Sequence, residues 1–218
     1  MEITKEHIQI IDNHLKKNGI KYWDLRVEMI DHLVSDIEQN YNNSDFETEL
    51  YASLKRMNWN GYISGVNREG WQNVNRKYRS EYHKGFLNFF KSFINVAILM
   101  LSLFGLFLIS ENVSINVFNK ISFLLFAAPL IITLVLFAKL FFKKYGRSVN
   151  LDYGVMYMTL SFFILNVVPV FLDGQSELVR KIMWFIILPI HYAAFYSGYN
   201  LYKKAIAKVD FMKKELTS

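Results

Sequence analysis

Residues 92–110 read SFINVAILMLSLFGLFLIS, an uncharged run of about 19 residues closed by Lys91 and Glu111. At about 1.5 Å of rise per residue, a helix of that length matches the roughly 30 Å hydrocarbon core of a bilayer. The stretch predicts a membrane span, with a polar third before it and a membrane-embedded remainder after it. Three further uncharged runs follow at 121–138, 153–172 and 182–202, bounded by Lys120 and Lys139, by Asp152 and Asp173, and by Lys181 and Lys203. Each is about 18 to 21 residues, long enough to cross.

Basic residues near span ends set orientation. The segment before the first span carries Arg76, Lys77, Arg79, Lys84 and Lys91, the second connector Lys139, Lys143, Lys144 and Arg147, and the tail Lys203, Lys204, Lys208, Lys213 and Lys214. The first connector has only Lys120, and the third only Arg180 and Lys181. The alternation predicts four spans in the inner (cytoplasmic) membrane with both termini in the cytoplasm. A re-entrant hairpin at 121–138 would put the basic second connector outside, and is disfavoured.

The 218 residues carry a net charge of +6, 52% hydrophobic residues, 17% aromatics and no cysteine. Without cysteine there are no disulfides, thiolate nucleophiles or Cys-ligated metal centres. Most of the positive charge is spent on topology, so no nucleic-acid partner is expected. Met1 to Lys5 lacks a basic segment followed by an apolar one, so no cleavable signal is expected and the first span does the targeting.

The polar third reads as helices. Thr4 can cap a helix with Ile8, Ile11 and Leu15 on one face, ending at Gly19. A second runs from about Tyr22 to Tyr41, with Leu25, Met29, Ile30, Leu33, Val34 and Ile37 inward. Ser44-Asp45-Phe46-Glu47 has the form of a capping box opening a third helix, with Phe46, Leu50, Leu54 and Met57 inward. Residues 58–70, with Gly61, Gly65 and Gly70, read as turn and loop. From Trp71 the stripe Trp71, Val74, Tyr78, Tyr82, Phe86 predicts a juxtamembrane helix over 71–91. Its Arg76, Lys77, Arg79 and Lys84 suit a membrane surface. Basic and aromatic residues together also describe a single-stranded nucleic-acid surface, but the tether to a span favours anionic lipid.

Glu28, His32 and Asp36 lie at i, i+4 and i+8, with Asp31 beside them, a spacing that puts nitrogen and oxygen ligands on one helix face. A closed metal site needs four ligands and one face supplies at most three, so ion pairing is the preferred reading and no metal or other cofactor is expected.

The same segment, Tyr22-Trp23-Asp24-Leu25-Arg26-Val27-Glu28-Met29-Ile30-Asp31-His32-Leu33, then Asp36-Ile37-Glu38 and Phe46-Glu47, resembles the small three-helix HAAS-type signalling domain. Those domains precede membrane segments in bacterial proteins often encoded beside PadR-type regulators. The variant in Bacteroidota membrane proteins, with a basic segment and four spans behind it, is the most similar. The resemblance covers about residues 1–90, and the chain lacks the Leu-Pro and Gly-x-Pro turns of the commoner form. It implies a signature face of Arg26, Glu28, Asp31, His32, Asp36 and Glu38 that binds a cytoplasmic protein partner.

All three prolines, Pro129, Pro169 and Pro189, fall inside spans, where each removes a backbone donor. Asn166 in the third span and His191 in the fourth are polar groups in lipid; they are read first as interhelical hydrogen-bonding groups, with His191 bonded to Asn166, Tyr157 or a freed carbonyl. No H-E-x-x-H, G-x-S-x-G or P-loop motif is present, and no carboxylate pair lies inside a span.

The expected organisation is therefore all-α: a cytoplasmic three-helix domain (1–70), a juxtamembrane helix (71–91), a four-helix transmembrane bundle (92–202) and a basic tail (203–218). The expected function is non-enzymatic signalling or partner docking, and the bundle's exposed flank is compatible with a homodimer. The alternative is a small oligomeric transporter or channel using the kinked spans with Asn166 and His191. An intramembrane enzyme centred on His191 is the third reading.

Overall fold

The computed structural model describes residues 2–61, 63–164 and 167–217, and among them every regular element is helical. The chain forms two compact units. The first comprises Met1–Lys77, Tyr145–Asp152 and Lys208–Ser218, and the second Tyr78–Lys144 and Tyr153–Ala207.

In the first unit, α1 (Lys5–Lys17) starts at Thr4, whose hydroxyl accepts the His7 N–H while the His7 ring accepts the Thr4 N–H. Two of the donors left over at a helix start are satisfied in this way. Next come α2 (Trp23–Gln39) and α3 (Phe46–Arg56), the latter capped by Asp45, which accepts the Thr48 N–H at 2.8 Å. The cap is thus one residue later than the expected Ser44, because a carboxylate beside the positive end of a helix is a stronger acceptor than a hydroxyl. Ile11, Leu15, Leu25, Met29, Leu33, Ile37, Leu50 and Leu54 close one core, joined by Ile63.

Ile63 opens α4 (Ile63–Lys91), which corrects the expectation of a loop up to Gly70. A glycine inside a helix costs only about 1 kcal/mol against alanine. Here Gly70 also lets the helix lie close to Leu25: a Cβ on it would meet the Leu25 Cδ1 at 2.8 Å.

In the second unit α5 (Phe93–Asn112) is capped by Ser92 and matches the predicted first span. Only Val113 and Ser114 separate it from α6 (Ile115–Ala127), so Lys120 lies within a helix and not in a connector. Then α7 (Pro129–Lys143) follows directly on Ala128, and the two together run from Ile115 to Lys143. The third apolar run is divided into α8 (Val149–Thr159), a 3-10 turn (Leu160–Ile164) and α9 (Val167–Leu172). Finally α10 (Glu177–Thr217) passes through Pro189 and continues to the end of the described chain, so the expected basic tail is helix, with Val209 fully buried. Among the described residues three helices are long and apolar enough to cross a membrane: Phe93–Asn112, Ile115–Lys143 and Glu177–Leu216.

Helices α8 and α10 approach closely within the second unit because glycines face the contact. A Cβ on Gly198 would stand 2.4 Å from the Tyr157 carbonyl oxygen, and one on Gly154 2.7 Å from the Ala205 Cβ. Small residues of this kind bring helix backbones together where no water-driven force does so.

Candidate functional site

In the first unit the start of α2 meets the segment before α8 around one carboxylate. Asp24 is completely buried. Its Oδ1 accepts the Val149 N–H at 3.0 Å and the Leu25 N–H at 3.1 Å. Its Oδ2 accepts the Ser148 hydroxyl at 2.7 Å, the Asn150 N–H at 3.0 Å and the Asn150 side-chain amide at 2.7 Å. The Ser148 Oγ in turn accepts the Leu151 N–H at 3.2 Å. The first free donors of α8 are thus satisfied by Ser148 locally and by a carboxylate 124 residues away. An anion at a helix start is also favoured by the helix dipole, and more so when buried. A buried carboxylate would otherwise be costly. Here, among the described residues, its hydrogen bonds come from neutral donors.

Trp23 doubles the attachment. Its backbone N–H donates to the Arg147 carbonyl at 3.1 Å and its indole N–H to the Tyr145 carbonyl at 3.0 Å. Between them Gly146 has φ +75°, and the indole Cδ1 lies 3.5 Å from where its Cβ would be. The left-handed backbone there suits glycine. From the end of α10, the Lys213 ammonium sits 5.8 Å from the Trp23 ring centre and 5.2 Å from that of Tyr145. That distance is within cation–π range. Five residues earlier, Lys208 pairs with Glu28 at 3.0 Å. The unit is therefore assembled from three separated parts of the chain.

Asp152, in the first turn of α8, borders this socket. Partial desolvation raises its carboxyl above the ordinary value and the Asp24 charge adds to this, while the Tyr22 hydroxyl and Arg147 oppose it. Tyr22 is raised by its own desolvation and by Asp152.

The six residues of the expected partner face divide into two groups. Arg26 is turned inward: its Nε donates to Asp12 at 2.6 Å and its Nη1 to the Ile20 carbonyl at 3.0 Å. Although burial pushes the Asp12 carboxyl up, Lys16 and Arg26 together bring it below its ordinary value. Glu28 is engaged by Lys208, and Asp36 by a two-point pair with Arg56, 2.6 and 3.0 Å. That pair and the Ser53 and Asn40 side chains hold the Asp36 carboxyl below its usual value. Asp31, His32 and Glu38 are exposed on α2. On α4, Arg76, Lys77, Arg79 and Lys84 are all exposed.

In the second unit His191 is buried, its ring 4.0 Å from that of Phe126. The His191 Nδ1 lies 3.2 Å from the Ser161 carbonyl in the 3-10 turn. A carbonyl only accepts, so Nδ1 carries the proton and the ring is placed as an interhelical donor. Among the described residues Nε2 has no hydrogen-bond partner. Asn166, expected as its partner, lies outside the described residues. The neighbouring Tyr192 has a clearer task. Pro129 lacks the N–H that would bond the Leu125 carbonyl four residues back. The Tyr192 hydroxyl donates to that carbonyl instead, at 2.7 Å.

Sequence reasoning passed over Asp24, Trp23 and Ser148 as functional residues. The only local signal was Ser148 ahead of Asn150 and Asp152, a helix-start composition. Nothing near Asp24 announces a partner more than a hundred residues away. Compared with known protein families, with curated proteins and with solved structures, the chain finds no match.

Proposed function

We propose that this is a four-span integral membrane protein whose N-terminal helical unit is a cytoplasmic, non-enzymatic docking or signalling module. The carrying observation is the make-up of the first unit, in which 145–152 and 208–218 pack with 1–77. A compact polar unit lies on one side of a bilayer. The chain between 77 and 145 must then cross an even number of times, and so must the chain between 152 and 208. The first interval holds two candidate helices, Phe93–Asn112 and Ile115–Lys143. The second holds one, the front of α10, so the broken apolar segment 153–172 supplies the other crossing. The positive-inside pattern supports the same arrangement, since the two returning segments are the basic ones.

On this reading the Asp24 socket ties the docking module to the second connector. A partner pulling on α2 would load the start of α8 directly. The HAAS-like reading of Tyr22 to Glu38 is supported by three short helices around one core, and the remaining open face of α2 is Asp31, His32 and Glu38. The test is a photoreactive residue at His32 in intact cells, with the captured protein identified and the capture repeated in Asp31→Lys and Glu38→Lys backgrounds. One defined cytoplasmic protein, lost in both variants, is the expected result. Capture that is indifferent to both charge reversals would refute the docking reading.

A further inference from the structure

The second unit holds two cavities that share lining residues. The last turns of α4 lie close against α10. A Cβ on Gly85 would stand 2.3 Å from the Ser197 Oγ, and that hydroxyl donates to the Tyr82 carbonyl at 2.7 Å. Phe89 meets Tyr196 edge to face at 5.4 Å. Beyond this contact the backbone is extended at Ser92 (φ −80°, ψ 117°), and α5 sets off as a helix in which the buried residues are Leu106 and Ser110. The space it leaves is an apolar crevice of about 540 Å³, walled by residues that include Ile98, Leu103, Leu106, Pro129, Leu188 and Phe195. That volume lies in the ordinary range of ligand sites.

Asn95 and Tyr196 line both this crevice and a second cavity of about 410 Å³. The second is polar, with Asn88, Ser92, Asn200, Lys203 and Lys204 on its walls. Glu81 is the one carboxylate on its lining, and it is paired with Lys204 at 3.1 Å. Among the described residues of this lining one positive charge is left over, that of Lys203. Its ammonium lies 5.6 Å from the ring centre of Tyr199, which itself lines the apolar crevice. A cation therefore stands where the apolar space gives way to the polar one.

We propose that these joined cavities bind one anionic phospholipid, with a hydrocarbon chain in the crevice beside α5 and the phosphate at Lys203 and Lys204. The apolar crevice selects a chain, the surplus positive charge selects an anionic head, and the shared Asn95 and Tyr196 fall at the level of the glycerol esters. A free phosphate would leave the larger cavity unfilled.

The test uses the full chain purified in mild detergent and mixed with equal amounts of phosphatidylglycerol and phosphatidylcholine of identical chains, with retained lipid read by native mass spectrometry. One phosphatidylglycerol is expected, favoured about tenfold over phosphatidylcholine, the scale that one to two lysines at a membrane surface supply. Lys203→Gln with Lys204→Gln should abolish the preference. Ser102→Phe, which fills the crevice, should remove retention of both lipids, and Leu99→Phe is the second filler should the first variant lose its helix content. Glycerol phosphate in excess should displace nothing. Equal retention of the two lipids, a preference that survives the filled crevice, or displacement by glycerol phosphate would each overturn the proposal.

Discussion

Replacing Asp24 by Asn keeps the shape of the side chain and removes its charge. One oxygen remains to accept the Val149 and Leu25 N–H groups, while an amide now faces the donors formerly bound by Oδ2. The Ser148 hydroxyl can rotate and accept. The Asn150 backbone N–H and side-chain amide cannot, and both sit in a site closed to water, since Asn150 is only 3% exposed. Each donor that loses its bond to Asp24 costs about 1–3 kcal/mol, and the lost anion at the helix start adds to that, so attachment of the second connector should weaken by about 2–4 kcal/mol. At 1.4 kcal/mol per factor of ten, that is roughly a thirtyfold to several-hundredfold rise in local opening. Amide hydrogen exchange on the full chain in lipid nanodiscs reads this at 148–151, where the Val149 and Asn150 protons are those bound by Asp24. Protection there should fall by that factor while α1 and α3 keep theirs. Protection within a factor of about three of the parent would mean that the carboxylate does not hold the segment, and the coupling argument would fail.

Three further outcomes follow from the geometry. Gly198→Ala places a methyl against the backbone of Tyr157 and Met158, which cannot yield as a flexible side chain would, so thermal stability in detergent should drop by about 1–3 kcal/mol, whereas Gly105→Ala, with nothing near its Cβ, should change little. Tyr192→Phe leaves the Leu125 carbonyl only the long 3.3 Å bond from the Ala128 N–H and should cost about 0.5–1 kcal/mol; in a Pro129→Ala background, where a second backbone N–H returns to that carbonyl, the same change should cost less, and strict additivity in the double-mutant cycle would refute the assignment. Arg56→Gln should destabilise the first unit by about 0.5–1 kcal/mol at neutral pH, a value already discounted for the partial exposure of the pair. Asp36 is held below its unfolded value, so this stabilisation is present above about 3.8 and is lost as the pH falls through the lower folded value. Parent and variant melting curves should therefore converge in acid, and a constant gap down to the lowest pH would contradict the pairing.

What was legible in the sequence was whatever is written locally. The Thr4 cap, the apolar stripe of α2 from Leu25 to Ile37 and the uncharged length of α5 each depend on residues within a few positions of one another, and the structure has them as read. The early start of α4 was hidden because Gly65 and Gly70 carry the signature of a turn, whereas the folded chain holds it by packing Ile63 and Val66 into the core and Leu25 against Gly70. The tail was read only as a basic cytoplasmic segment, because its lysines serve as an orientation signal. In α10 those lysines occupy the outer faces of a helix whose Val209 is buried, with Lys208 and Lys213 reaching Glu28 and Trp23. The expected partner face was composed of the right residue types on one helix. Arg26, Glu28 and Asp36 nevertheless find their counter-charges on α1, α10 and α3, and counter-charges on other elements cannot be ordered by spacing along α2. The Asp24 socket is the extreme case, since its donors belong to a segment that meets α2 only in the folded chain.

The central claim is that 1–77, 145–152 and 208–218 share one side of the membrane and that 153–172 crosses it. The chain has no cysteine, so single cysteines report position without background. An impermeant maleimide applied to intact cells should label Ser114→Cys and Gln175→Cys at once, and should label Glu47→Cys, Arg147→Cys and Leu216→Cys only after the membrane is opened. Labelling of Arg147→Cys from outside, or shielding of Gln175→Cys together with Arg147→Cys, would contradict the account.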